Sequence, residues 1–331
     1  MSISNVALAL ERKNNVSMTK ILITGATGFI GRHLISNLSS EHQHYSLRAA
    51  VRNVSDLLPK QVEQYVIGDF MGRPEWGAAV KSCEMVIHLA GITGVEKKAT
   101  PEGEKRLQVV NVESAKALAQ AAVKAGVKRF VFLSSVKVCG DTSNEPIAED
   151  HLIQCEDGYA RSKYLAEQQI FAVAEGTTMD VVIVRPPLVY GLGVKGNFSK
   201  LISLAGCGWP LPIGGVENQR TLCAVDNLND FIIAALEHPR AANEVFCVGD
   251  GKALSTVELI QLLGHAQNKQ IKIVPYSGRA IKLLLKLIGK NNIADRLFGS
   301  LVVCSKKAEK YLGWQPRKKP SDAILDYFKD Q

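Results

Sequence analysis

The sequence predicts an α/β fold: a doubly wound parallel sheet with a smaller C-terminal domain. Three observations carry the prediction. Short apolar runs alternate with helical patterns through the first 190 residues, as in a parallel sheet covered on both faces. The stretch TGATGFIG, residues 24–31, separates the first apolar run from the first helical one. After Tyr190 the chain turns rich in Gly and Pro, as in loops that shape a pocket.

The elements follow in order. KILIT (20–24) is a buried strand, and GFIGRHLISNLSS is the helix after it. YSLRAAVR (45–52), VEQYVIGDF and EMVIHLAG (84–91) are the second to fourth strands. A long helix covers roughly Glu102 to Ala125, with Gly126 as its C-terminal cap. KRFVFLSS (128–135) is the fifth strand. DGYARSKYLAEQ (157–168) opens a helix that reaches about Glu175. MDVVIVRPP (179–187) is the sixth strand, stopped by two prolines. Beyond Tyr190, TLCAVDNLNDFIIAALEH reads as a strand and helix, STVELIQLLGHA as a capped helix, and the tail from Ser305 as two short helices. The expected organisation is an N-terminal extension over 1–18, a first domain over 19–190 plus about 221–248, and a second over 191–220 and 249–331.

The composition of the 331 residues, 46% hydrophobic and 22% charged, is that of a folded soluble protein. No apolar run reaches the roughly 18 residues of a membrane helix. The early patch VALAL precedes the charges of Glu11, Arg12 and Lys13, so it reads as a loose extension and not a signal peptide, with a domain start at Met18. The net charge of +8 suits an anionic small molecule. The basic residues are scattered apart from Arg317 to Lys319, and no recognition-helix or zinc-finger pattern accompanies them, which argues against nucleic acid. Seven cysteines without a C-x-x-C fit reduced thiols in a cytoplasmic protein. Cys, His and acidic residues form no ligand cluster, so no metal is expected.

The glycine-rich stretch has the strand–turn–helix context that a dinucleotide needs. Gly25 permits the tight turn, Gly28 lets backbone approach a pyrophosphate, and Gly31 lets helix and strand pack closely. The amides of the helix start then offer an anion site. Arg52 ends the second strand, 21 residues after Gly31, with no carboxylate before Asp56. An acidic residue there would hold the 2′-hydroxyl of NAD, whereas an arginine accommodates the 2′-phosphate of NADP. NADP(H) is therefore favoured over NAD(H).

Taken together, these motifs resemble the extended short-chain dehydrogenase/reductase family, the group of nucleotide-sugar epimerases, dehydratases and reductases. They are T-G-x-x-G-F-I-G at 24–31, GDF at 68–70, HLAG at 88–91, LSS at 133–135, Tyr159 with Lys163, and RPPLVYG at 185–191. The resemblance implies a Rossmann-type cofactor domain, a smaller nucleotide-sugar-binding domain and a homodimer. It implies cofactor contacts at Gly25, Thr27, Gly28, Phe29, Ile30 and Gly31, at Asp69 and Phe70 beside the adenine, and at Leu89, Ala90, Gly91 and Pro186. Ser135, Tyr159 and Lys163 take the catalytic positions, with Asn111 nearby, and Lys163 also holds the nicotinamide ribose. Asn197 and Arg220 match the positions that hold the nucleotide of a UDP-sugar. Arg296 is the candidate second phosphate ligand, and Lys137 a candidate for the sugar pocket.

The chemistry can also be argued from the residues. Moving a hydride to or from a carbinol carbon needs a group that exchanges the oxygen's proton. A free tyrosine titrates near about 10, too high for a base at neutral pH. A lysine ammonium one helical turn away is expected to favour the phenolate. Ser135, 24 residues before Tyr159, would orient the substrate oxygen.

The stretch SSVKVCG departs from the family. Dehydratases need an Asp-Glu pair after the catalytic Ser/Thr, and here those positions are Val136 and Lys137. The form is similar to a bacterial subgroup of surface-polysaccharide pathways, which contains 4-epimerases and reductases of UDP-4-keto-6-deoxy-N-acetylhexosamines. An epimerase returns the hydride it takes and keeps NAD bound, whereas a reductase consumes NADPH. Arg52 favours an NADPH-dependent 4-keto reductase. The alternatives are a UDP-glucose or UDP-N-acetylglucosamine 4-epimerase with tightly bound NAD, and a non-catalytic NADP-binding regulatory protein.

Overall fold

The computed structural model describes residues 18–72, 74–93, 100–275 and 298–329. Arg296 and residues 1–17 of the expected extension lie outside them. Strands β1 (Thr19–Thr24), β2 (Tyr45–Val51), β3 (Glu63–Val66), β4 (Met85–His88), β5 (Arg129–Leu133) and β6 (Asp180–Arg185) form an all-parallel sheet in the order β3-β2-β1-β4-β5-β6. β9 (Glu244–Cys247) adds a seventh parallel strand beside β6. Two further strands, β7 (Leu188–Tyr190) and β8 (Leu222–Ala224), pair with each other.

Both faces of the large sheet are buried. Along β1, Ile21 and Ile23 enter one core and Leu22 the other, because strand side chains alternate. The first core is covered by α1 (Phe29–Glu41) and α7 (Val225–Glu237) through Leu34, Leu38, Phe231 and Ile232. The second is covered by α4 (Ser114–Lys124) and α5 (Gly158–Ala174) through Leu118, Ala122 and Ile170. Such two-sided burial explains the unbroken apolar runs of the strands. The short α2 (Trp76–Val80) also packs into the second core.

The long helix read over Glu102 to Ala125 is not uniform. It starts as α3 (Pro101–Leu107), capped by the Thr100 side chain, passes through a π-helical turn at Gln108–Glu113, and continues as α4. A π turn admits one extra residue and often marks a functional position. Here it carries Asn111, 1% exposed. Gly126, with φ of 74°, follows as the sequence predicts.

A third core joins Tyr190, Phe198 of α6 (Asn197–Gly206), Leu211, Ile260 and Leu263 of α8 (Thr256–Ala266), and Ile324 of α10 (Pro320–Lys329). Ser255 and Glu258 form a complete capping box on α8. The helix α9 (Lys306–Leu312) ends at Gly313, whose φ of 64° is left-handed. Among the described residues no helix is long and apolar enough to cross a membrane.

Candidate active site

All strands of the sheet run the same way, but the order in which the chain adds them reverses between β1 and β4, and the loops after these strands meet there. In open parallel sheets this crevice, at the C-terminal strand ends, takes the ligand. Gly25 has φ of 69°, and a Cβ on it would lie 2.7 Å from the Ala90 nitrogen. A Cβ on Gly31 would run into the Gly25 carbonyl oxygen. The two glycines therefore let the turn, α1 and the Leu89–Gly91 loop close on one another. No side chain caps the start of α1, and its first turn holds no acidic residue. The Gly28 N–H donates to the Gly25 carbonyl at 2.9 Å, and the start of α1, beside exposed Thr27 and Gly28 and half-buried Phe29 and Ile30, suits a phosphate. Arg52 lies exposed just beyond β2. Exposed Asp69 and half-buried Phe70 follow β3, the strand paired with β2. An anionic dinucleotide fits this row of residues.

His88 closes the floor of the crevice. The Ala90 N–H donates to Thr24 Oγ1 at 3.2 Å, and the Thr24 hydroxyl lies 2.6 Å from His88 Nδ1. His88 Nε2, on the other side of the ring, is buried without a hydrogen-bond partner among the described residues. Burial, assisted by the nearby Lys163 charge, holds His88 down to about 3. It is a neutral structural imidazole at all ordinary pH, stacked on Phe132 with ring centroids 5.6 Å apart.

Ser135 stands two residues beyond β5 and caps a 3-10 turn over Val136–Cys139. Val136 N–H donates to the Pro186 carbonyl at 3.0 Å, so the turn is fixed to the end of β6. Tyr159 and Lys163 lie on α5, whose N-cap is Asp157, accepting the Ala160 N–H at 2.7 Å. The Ser135 side chain favours ionisation of the Tyr159 phenol. Asn111 supports this pair from behind. It accepts the Ile92 N–H at 2.9 Å and donates to the Ile92 carbonyl at 3.1 Å and to Ser162 Oγ at 2.9 Å. Ser162 in turn donates to the Tyr159 carbonyl at 2.8 Å. The π turn thus holds the β4 loop and the helix of Tyr159 and Lys163 together.

The expected effect of Lys163 on Tyr159 is not found. Burial pushes the phenol up to about 12, the Ser135 side chain opposes the shift, and the Asp157 charge adds to it. Lys163 is 4% exposed, and burial pulls it down to about 8, with Glu167 one turn further along opposing the fall. Its ammonium lies 4.4 Å from the Phe132 ring centroid and 3.4 Å from where a Cβ on Gly91 would stand. It therefore faces the β4 loop. In the free protein Tyr159 holds its proton at neutral pH, which suits a donor. Its base form needs a further positive charge brought beside it.

The other predicted residues have other surroundings. The Lys137 ammonium hydrogen-bonds Asp157 and meets Asp141 at 3.0 Å. Arg220 donates to the carbonyls of Gly299 at 2.9 Å and Asp141 at 3.3 Å. Asn197 is the first residue of α6, after Gly196 at φ of 85°. Arg296 lies outside the described residues. Sequence reasoning missed Glu167, which pairs with Arg185 at 2.6 Å in a buried site, and the capping role of Asp157. An Asp directly before GYARSK is a legible helix-start signal. The partner of Glu167 comes from a distant strand and carries no local signal.

The comparisons agree with this geometry. The profile of the NAD dependent epimerase/dehydratase family matches residues 21–249. A UDP-glucose 4-epimerase from Vibrio cholerae is 38% identical over 302 residues, covering 89% of this chain and 90% of the relative. A solved UDP-glucuronic acid 4-epimerase from Bacillus cereus, in complex with NAD, superposes with a TM-score of 0.75 at 20% identity, over 94% of this chain and 99% of that one. A UDP-glucose 4-epimerase from Thermotoga maritima, solved with UDP-glucose, gives 0.74 at 22% identity over 94% and 98%. These two structures share the fold. The chain has the glycine cradle, the Ser135–Tyr159 contact and the buried Lys163 on that fold, and it belongs to the NAD dependent epimerase/dehydratase family.

Proposed function

We propose that this protein is a UDP-hexose 4-epimerase that keeps NAD bound through the reaction. The observation that carries the proposal is the 38% identity to the Vibrio cholerae UDP-glucose 4-epimerase across about nine tenths of both chains. The B. cereus structure, which contains NAD, supports the choice of cofactor.

The bound nicotinamide would supply the acceptor and later the donor of the C4 hydride. The residues of the chain handle the proton and the orientation. Ser135 hydrogen-bonds the C4 oxygen and holds it against Tyr159. Tyr159 in its phenolate form, which the positive charge of a bound nicotinamide would favour, takes the C4 hydroxyl proton and later returns it, so no proton is consumed overall. Lys163 holds the nicotinamide ribose. Gly25, Thr27, Gly28, Phe29, Ile30 and Gly31 cradle the pyrophosphate, Asp69 and Phe70 flank the adenine, and Leu89, Ala90, Gly91 and Pro186 line the nicotinamide half. Asn197, Arg220 and Arg296 hold the UDP of the sugar. The active species is a cytoplasmic homodimer formed through the helices around 102–125 and 158–175.

Arg52 favours a second reading, NADPH-dependent reduction of a UDP-linked 4-keto-6-deoxy sugar. Its guanidinium stands exposed where an NAD-specific site would carry a carboxylate. One experiment separates the two. Purified protein is incubated with UDP-glucose or UDP-N-acetylglucosamine without added cofactor, and separately with NADPH and a UDP-4-keto-6-deoxyhexosamine. Formation of the C4 epimer in the first supports the epimerase. Loss of NADPH absorbance in the second, with no epimer in the first, replaces it with the reductase.

A further inference from the structure

Lys137 occupies a position expected to face the sugar, yet protein groups bind its ammonium. Besides Asp157 and Asp141, its own N–H donates to Ser135 Oγ at 3.3 Å. Its Nζ lies 6.0 Å from the centroid of the Tyr159 ring. Asp157 caps the helix that carries Tyr159. Asp141 donates its N–H to the Glu156 carboxylate at 3.1 Å and accepts from Arg220 through its carbonyl. One cation thus ties the turn that presents Ser135 to the helix end that presents Tyr159.

We propose that Lys137 is a positioning residue for the Ser135–Tyr159 pair: its ion pairs with Asp157 and Asp141 hold the turn against the start of α5 and set the charge balance at the phenol. This role rests on Ser135 and Tyr159 being the acid–base pair, and not on which sugar they act on.

Among the described residues, the charged groups around Tyr159 come from four places. Asp157 lies at the helix cap. Lys137 and Asp141 come from the Ser135 turn. Lys163 lies one helical turn along α5. Glu104 comes from α3, its carboxylate packed on Gly158. A bare Asp157 carboxylate opposes phenolate formation, and Lys137 offsets it. At this separation in a partly exposed site, one unit charge moves a neighbour's titration by about half to one pH unit.

The test uses the protein saturated with NAD and carrying 13Cζ-labelled tyrosine, with Tyr159→Phe to assign the resonance. Lys137→Met should raise the Tyr159 titration midpoint by about half to one pH unit, and Lys137→Arg should restore it. Asp157→Asn, which keeps a capping side chain, should lower it. In turnover, Lys137→Met should reduce kcat with little change in KM, and its activity should need higher pH. A Tyr159 midpoint that stays in place in both Lys137→Met and Asp157→Asn, or moves the same way in both, overturns the role. If Lys137→Met does not fold, the direction of the Asp157→Asn shift decides. The titration needs no sugar, so failure to epimerise any UDP-hexose would remove the proposed function and leave this result standing.

Discussion

Glu167 on α5 and Arg185 at the end of β6 meet at 2.6 Å, with side chains only 3% and 5% exposed. A second bond from Arg185 Nε at 3.0 Å makes the pairing two-pronged, and the Ser134 hydroxyl also donates to Glu167. This one carboxylate therefore joins the residue before Ser135, the helix of Lys163 and the strand before Pro186. Removing its charge would strand a buried guanidinium. Glu167→Gln should cost about 3–5 kcal/mol in chemical denaturation. A loss under about 1 kcal/mol would show that the pair behaves like a surface ion pair.

Lys163 should carry the opposite signature. Its folded titration near 8 lies below the unfolded value of about 10.4, so burial disfavours the ammonium. The cost is present in full below the folded value and fades as pH rises toward the unfolded one. Lys163→Met should therefore stabilise the cofactor-free protein by about 1–3 kcal/mol at neutral pH while abolishing turnover. Thermal melts between about pH 7 and 10 should show the gain shrinking upward. A gain that grows with pH would contradict the burial account.

Tyr159→Phe should lower kcat by about 10³-fold or more and leave NAD affinity within a few-fold. Ser135→Ala should cost about 10²–10³ in kcat, since it removes one oriented donor. Steady-state rates and NAD titration on the same preparations check both. Undiminished turnover in Tyr159→Phe would mean that another group moves the proton.

Gly31→Ala would drive a methyl group into the Gly25 carbonyl and open the turn under the pyrophosphate. NAD affinity should fall at least tenfold, about 1.4 kcal/mol, and the melting temperature should fall with it. Gly126 makes a control, because a Cβ there meets nothing, although its φ of 74° adds local strain. Gly126→Asn should leave NAD affinity unchanged.

Much of this was legible in the sequence. Strand runs such as KILIT and KRFVFLSS are apolar on both faces because helices cover both, and their order placed Gly25, Ser135 and Tyr159 at one sheet edge. The capping box at Ser255 and Glu258 and the glycine cap at Gly126 were equally local signals. β9 was less visible, since EVFC reads as packing until the strand it joins is known. α6 was hidden among flanking Gly and Pro. The π turn at Asn111 keeps helical composition, so nothing local announces it. The partners of Lys137, Glu167 and Arg220 lie far off in the chain, and only the fold brings them close. The direction of the Lys163 ammonium, towards Phe132 and the Gly91 loop, was hidden for the same reason: helical spacing gives proximity but not direction.

The most direct measurement follows the C4 hydrogen itself. UDP-[4-2H]glucose is converted in ordinary water by the purified protein without added cofactor. The account predicts UDP-galactose that keeps its deuterium at C4, with no net change in reduced nicotinamide. Product that has exchanged C4 deuterium for solvent hydrogen, or no C4 epimer at all, would contradict it.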